Sequence, residues 1–135
     1  MRPSLARLAL IATIALASVA CASGSERERQ SAADVARAEE TIRNADNSAK
    51  RSALGLLSAP CVAALPCEAQ RLCREAYTLH VEAFELTQAA KQAVETDPTR
   101  AASLLGPAQQ KLAQARTQVA TCTERVRTLR HDYKL

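Results

Sequence analysis

Two runs of heptad-spaced residues flank a single short turn, and together they constrain the fold more than any other feature. On one side of Thr96-Asp97-Pro98, apolar or small residues recur in alternating steps of three and four: Leu105, Ala108, Leu112, Ala115, Val119, Cys122, Val126, Leu129 and Tyr133. That is the seam of a helix packed along another helix. On the other side a long helical segment is expected from about Pro66 to Glu95. Asp97 is placed to cap the later helix and Pro98 to occupy its first position. If the two segments fold back antiparallel about the Asp97–Pro98 bond, Leu105 faces Ala90, Leu112 faces Ala83, Val119 faces Ala76 and Val126 faces Ala69. Large residues meet alanines, as close interdigitation requires. The same register, set by the turn alone, puts Cys122 opposite Cys73.

Composition supports an all-α reading. Ala, Leu, Glu, Gln, Arg and Lys dominate, and these are good helix formers. The hydrophobic fraction is 47%, mostly alanine with some leucine, and the aromatics are only Tyr77, Phe84 and Tyr133. Small side chains bury little area, at roughly 25 cal/mol per Å², so a core of this kind needs covalent staples. A first helical segment is expected from Ser31, where Ser31-Ala-Ala-Asp34 has the form of a capping box, through a seam of Val35, Ala38, Ile42, Ala45, Ala49, Ser52 and Leu56. Glu39–Arg43 and Asp46–Lys50 read as i,i+4 ion pairs on it, and Gly55 to Pro60 as its end. Leu72, Leu79 and Leu86 form a stripe available to cover that segment, and Gly106-Pro107 predicts a bend or break in the last helix. The expected architecture is a three-helix, up-down-up bundle with coiled-coil-like packing, spanning residues 33–135 and stapled by two disulfides.

The N-terminus points to export. Arg2 and Arg7 form a charged region ahead of the apolar run Leu8 to Val19. The run falls short of the about 20 residues a membrane span needs. Small residues then lead to a cysteine, and residues 18–21, Ser-Val-Ala-Cys, resemble the lipobox of bacterial lipoprotein precursors, with Ser18 where leucine is commonest. The resemblance covers the first 21 residues. It implies a signal peptide over 1–20, a lipidated Cys21 as first residue of the mature chain, and a membrane anchor. Ala22 and Ser23, in place of Asp after the cysteine, resemble the class sorted to the periplasmic face of the outer membrane. A secreted, unlipidated product cleaved after small residues is the competing expectation. Residues 22–32, Ala-Ser-Gly-Ser-Glu-Arg-Glu-Arg-Gln-Ser-Ala, read as a flexible tether.

Cysteine parity fits lipidation, since setting Cys21 aside from the five cysteines leaves four. Cys67 and Cys73 lie six apart on one helix, on different faces, and should not pair. Two connectivities remain: Cys73–Cys122 with Cys61–Cys67, favoured by the hairpin register, or Cys61–Cys73 with Cys67–Cys122. No cysteine pair has the C-x-x-C spacing of zinc or redox motifs.

The formal charge of +4 falls to +2 once Arg2 and Arg7 leave with the signal. Acids and bases are interspersed, and no aromatic platform accompanies a basic stripe, so no nucleic-acid partner is expected. The basic cluster Arg125, Arg127, Arg130, His131 and Lys134 suits the negative end of a helix dipole, or else an anionic partner. Motifs for hydrolases, phosphate loops and calcium loops are absent, and no E-x-x-H pair exists for a di-metal carboxylate bundle. No catalytic residue, cofactor or metal ligand is therefore assigned. Two function classes stay open. One is a structural or protein-interaction module that meets an envelope protein or the cell wall, loosely like small alanine-rich helical envelope lipoproteins, although the best-known of these ends in the lysine attached to the wall and this chain ends Lys134-Leu135. The other is a small-ligand or metal carrier with a pocket near His80, Tyr77 and Phe84.

Overall fold

The computed structural model describes the backbone of residues 6–135 and the side chains from residue 24 onward. The chain is all-helical, with no strand among the described residues: α1 spans Ala6–Asn44, α2 Lys50–Ala53, a 3₁₀ turn Leu54–Ser58, α3 Ala64–Ala93 and α4 Pro98–Asp132. The expected signal segment and Cys21 lie outside the described side chains.

The α3–α4 hairpin forms in the expected register. Asp97 accepts a hydrogen bond from the Arg100 amide at 2.9 Å, and Pro98 opens α4. Cys73 and Cys122 are disulfide-bonded with their Cα atoms 4.8 Å apart, and neither is exposed. The alanines of the seam, Ala69, Ala76, Ala83, Ala90, Ala101, Ala108 and Ala115, are buried. Two ion pairs bracket the seam, Lys111–Glu82 at 2.6 Å and Arg125–Glu68 at 3.1 Å.

Two details of the hairpin depart from expectation. α4 runs through Gly106-Pro107 without a break. Pro107 cannot donate to the Ser103 carbonyl, but Ser103 and Pro107 are exposed, so that oxygen is open to solvent. Leu105, placed in the seam by its spacing, is 45% exposed, while Ala101 and Ala108 beside it are buried.

The first segment differs more. The structure has four helices where three were expected, because α1 stops at Asn44. The Lys50 side chain folds back over its end and donates to three carbonyls, those of Ile42 (2.8 Å), Arg43 (3.2 Å) and Ala45 (2.7 Å). The Ile42 and Arg43 carbonyls belong to the last turn of α1, where intrahelical donors run out, and Ala45 follows directly after it; Ile42 also accepts from the Ala45 amide at 3.3 Å. Lys50 therefore terminates the helix in place of pairing with Asp46 on its surface. Asn44, Asp46, Asn47 and Ser48 are turn formers that break the helical pattern between them. The later positions of the expected seam, Ala49, Ser52 and Leu56, are exposed.

Chain direction follows from the cross-links. The Val62 amide donates to Ser31 Oγ (3.0 Å), the Tyr77 hydroxyl to Glu39 (3.1 Å), and His80 bonds Asn47 (3.1 Å). Partner numbers rise together, so α1 and α3 run the same way. The stretch from α2 to Cys61 runs back, since Arg51 pairs with Glu85, Gln70 donates to the Ala59 carbonyl, and Cys61 bonds Cys67. The up-down-up order expected for three helices is thus corrected. α1 and α3 are parallel, an irregular link returns between them, and α4 is antiparallel to both.

At its other end α1 is longer than expected. It already runs through residues 24–32, read from sequence as a tether. Ser31 and Ala32 are buried, Gln30 bonds Asp34 at 2.9 Å, and Arg29 donates to the Tyr133 carbonyl of α4. Ser31 caps nothing, because its hydroxyl receives the Val62 amide of the link. Glu, Arg and Gln suit a helix as well as a linker, and packing on α4 decides between them.

The core gathers Ala32, Val35, Ala36, Ala38 and Ile42 from α1, Leu57 from the link, Ala69, Cys73, Ala76 and Tyr77 from α3, and Cys122, Val126 and Leu129 from α4. The leucine stripe of α3 is not part of it. Leu72, Leu79 and Leu86 are half-buried on the side of the hairpin away from α1, which packs against Tyr77 instead.

Candidate functional site

The four cysteines assigned to staples are paired as the hairpin register favours, Cys61 with Cys67 and Cys73 with Cys122. The two bridges sit in different surroundings. Cys73 and Cys122 are sealed between α3 and α4, whereas Cys61 and Cys67 are half-exposed where the link meets α3. The short bridge closes next to Ala63, whose φ of 74° is a strained conformation for a residue with a Cβ.

The residues suggested for a ligand pocket, His80, Tyr77 and Phe84, do not come together. Tyr77 is 3% exposed and turned into the core, where its hydroxyl donates to Glu39, itself 1% exposed. Burial, reinforced by the Glu39 charge, holds the Tyr77 hydroxyl far above the usual phenol range. The phenol stays protonated and serves as the donor that lets a carboxylate sit in this core. Arg43 adds a longer contact to the same carboxylate, at 3.8 Å.

His80 and Phe84 do share a surface. Together with Ala83, Thr87, Gln88, Lys91 and Leu112 they line a groove of about 290 Å³ between α3 and α4, bordered by Asn47 of the turn that ends α1. The groove exists because α1 stops at this level, leaving the hairpin uncovered beyond it. Asn47 Oδ1 accepts from His80 Nε2 at 3.1 Å. Burial lowers the His80 pKa from its ordinary value, and the nearby Lys50 charge lowers it further, so the ring is neutral at pH 7. Burial also lowers the pKa of Lys50, against an opposing pull from Asp46. Asn47 escaped the sequence reading, and Lys50 entered it only as a surface partner of Asp46, although the turn cluster from Asn44 to Ser48 signals the chain reversal that places them.

The basic cluster near the C-terminus is largely matched by local carboxylates. Arg125 pairs with Glu68, Arg127 with Glu124, Arg130 with Glu40 at 2.9 Å and His131 with Asp132. Arg130 and His131 occupy the last turn of α4, where cations complement the helix dipole. Among the described residues no group of three or more His, Cys, Asp or Glu side chains converges as a metal site would require, and no described helix is long and apolar enough to cross a membrane. Comparison with known protein families, with curated proteins and with solved structures found no match.

Proposed function

We propose that the chain is a lipid-anchored lipoprotein of the cell envelope, held by Cys21 at the periplasmic face of the outer membrane, and that its helical domain is a structural or protein-interaction module. The observation that carries this reading is cysteine parity. Four of the five cysteines are consumed in two disulfides, which supports an oxidising compartment and leaves Cys21, in its lipobox-like setting, for modification. Several acyl chains on one cysteine anchor stably where a single chain would not. The α3–α4 hairpin, with its coiled-coil-like alternation of alanine and larger residues, offers a stiff helical surface on which an envelope protein or a cell-wall strand can dock. Among the described residues no group of three or more His, Cys, Asp or Glu side chains favours a metal-carrier role.

Metabolic labelling with a radioactive fatty acid tests the anchor. Wild type should incorporate label, and Cys21→Ser should lose it and accumulate as unprocessed or soluble protein. An unlabelled wild type sinks the reading. Crosslinking in intact cells, followed by purification from envelope extracts, should then recover a discrete envelope partner.

A further inference from the structure

We infer that the groove left open beyond the end of α1 binds a small amphipathic carboxylate, with its apolar body on Phe84 and Leu112 and its anionic group at Lys91. Size is the first argument. A groove of about 290 Å³ lies just below the about 300–1,000 Å³ range of small-molecule pockets, so it suits only a small ligand. The second argument is what lines it. Phe84, Leu112 and Ala83 supply apolar surface, His80, Thr87 and Gln88 are uncharged polar groups, and Lys91 is the only charged lining residue. Ligand pockets have this composition, apolar walls with few polar anchors.

The sign of the ligand follows from the neighbouring ion pairs. No carboxylate lines the groove, and Glu82 and Glu85 of α3, outside its lining, are held by Lys111 and Arg51. A cationic ligand would meet Lys91 and no carboxylate. The Lys91 ammonium makes no ion pair among the described residues and is the one cation on the groove's lining, so its charge is available to a bound anion. His80 is oriented by Asn47, and its neutral ring adds no second charge for the ligand to satisfy. Thr87 donates its hydroxyl proton to the Ala83 carbonyl at 2.8 Å, which leaves Lys91 as the anchor for the ligand's carboxylate. Phe84 is the single phenylalanine of the chain and lies half-exposed in this groove. The inference does not depend on lipidation of Cys21.

The test uses the whole exported chain and 3-phenylpropionate as probe, followed by amide and methyl NMR shifts. Saturable shifts confined to Asn47, His80, Phe84, Lys91 and Leu112, with Kd below about 1 mM, are expected. Lys91→Glu, an exposed substitution that leaves the fold intact by circular dichroism, should weaken binding at least about tenfold. The neutral analogue 3-phenylpropan-1-ol should bind wild type about tenfold more weakly than the acid. Absence of saturable shifts, or binding that survives Lys91→Glu unchanged, overturns the proposal. So does concentration-dependent broadening of the same residues without probe, which would assign the groove to a second copy of the chain.

Discussion

The two ends of the α3–α4 hairpin share one heptad pattern and differ in what covers them. At the base, α1 and the returning link lay Val35, Ile42 and Leu57 onto Tyr77, Val126 and Leu129, and all six are buried. Toward the tip the helices meet mainly each other, through Ala83, Ala90, Ala93, Ala101, Ala108 and Ala115, with only the Arg51–Glu85 pair and Asn47 reaching them from outside, and none of these alanines belongs to the main core cluster. Val94 and Leu105 stand exposed there, at 56% and 45%. An alanine seam brings two helices close but buries little apolar area, whereas each large aliphatic side chain buried at the base contributes about 1.5–3 kcal/mol. Regular spacing therefore specifies how two helices pair, while stability depends on whether a third element covers them. Native-state hydrogen exchange should find the amides of residues 83–110 less protected than those of 69–77 and 119–130.

The largest effect should come from the bond that ties the hairpin together just below the uncovered region. The double replacement Cys73→Ala with Cys122→Ala opens a loop of 49 residues, a loss of about 4 kcal/mol in the chain-entropy model. Thermal unfolding should show the midpoint falling by about 20 °C. A double mutant that melts like wild type would mean the base alone holds the fold, and that the bridge serves chemistry instead of packing.

Next in size, Ile42→Ala removes a fully buried side chain from the base and should cost about 3 kcal/mol in urea unfolding. Exchange at the tip should change only as global stability changes. If tip amides lose more protection than base amides, the two regions are coupled more tightly than their packing implies.

Lys50→Met keeps the length of the side chain and removes the donor shared by the Ile42, Arg43 and Ala45 carbonyls, of which Ile42 keeps the Ala45 amide. The expected cost is about 2 kcal/mol, read by chemical denaturation. Fraying of residues 40–44 should show as new exchange there and not in α4. An unchanged α1 end would show that the turn residues alone stop the helix.

The smallest effect is electrostatic and lies at the junction of the two regions. His80 has a folded-state pKa below its unfolded value, so the unfolded chain binds the proton first. Stability is unaffected above pH 7, falls as pH drops through the unfolded value of 6.5, and levels off below the folded-state pKa. Comparing unfolding free energies at pH 7 and pH 5.5 should show wild type losing a small amount of stability, reduced by solvent screening, that His80→Gln does not lose. An identical pH dependence in the two proteins would place the titration elsewhere.

What the sequence by itself determined is the hairpin. Its turn is capped locally by Asp97 and Pro98, its heptads are intrinsic to each helix, and the register they imply places Cys73 beside Cys122. Each of these relations spans one turn or one helix–helix contact, so it can be counted from residue numbers. Tertiary structure decided the fate of the first segment. Residues 24–32 suit a tether or a helix equally, and contact with Tyr133 and Val62 made them helix. Lys50 suits a surface ion pair or a C-terminal cap, and the chain reversal at Asn44 to Ser48 made it the cap. That reversal turned an expected third antiparallel helix into a parallel one and left the groove at His80 and Phe84 open. Periodicity along a helix carries no information about where a distant segment will dock, because docking depends on side chains that meet only after the chain has folded.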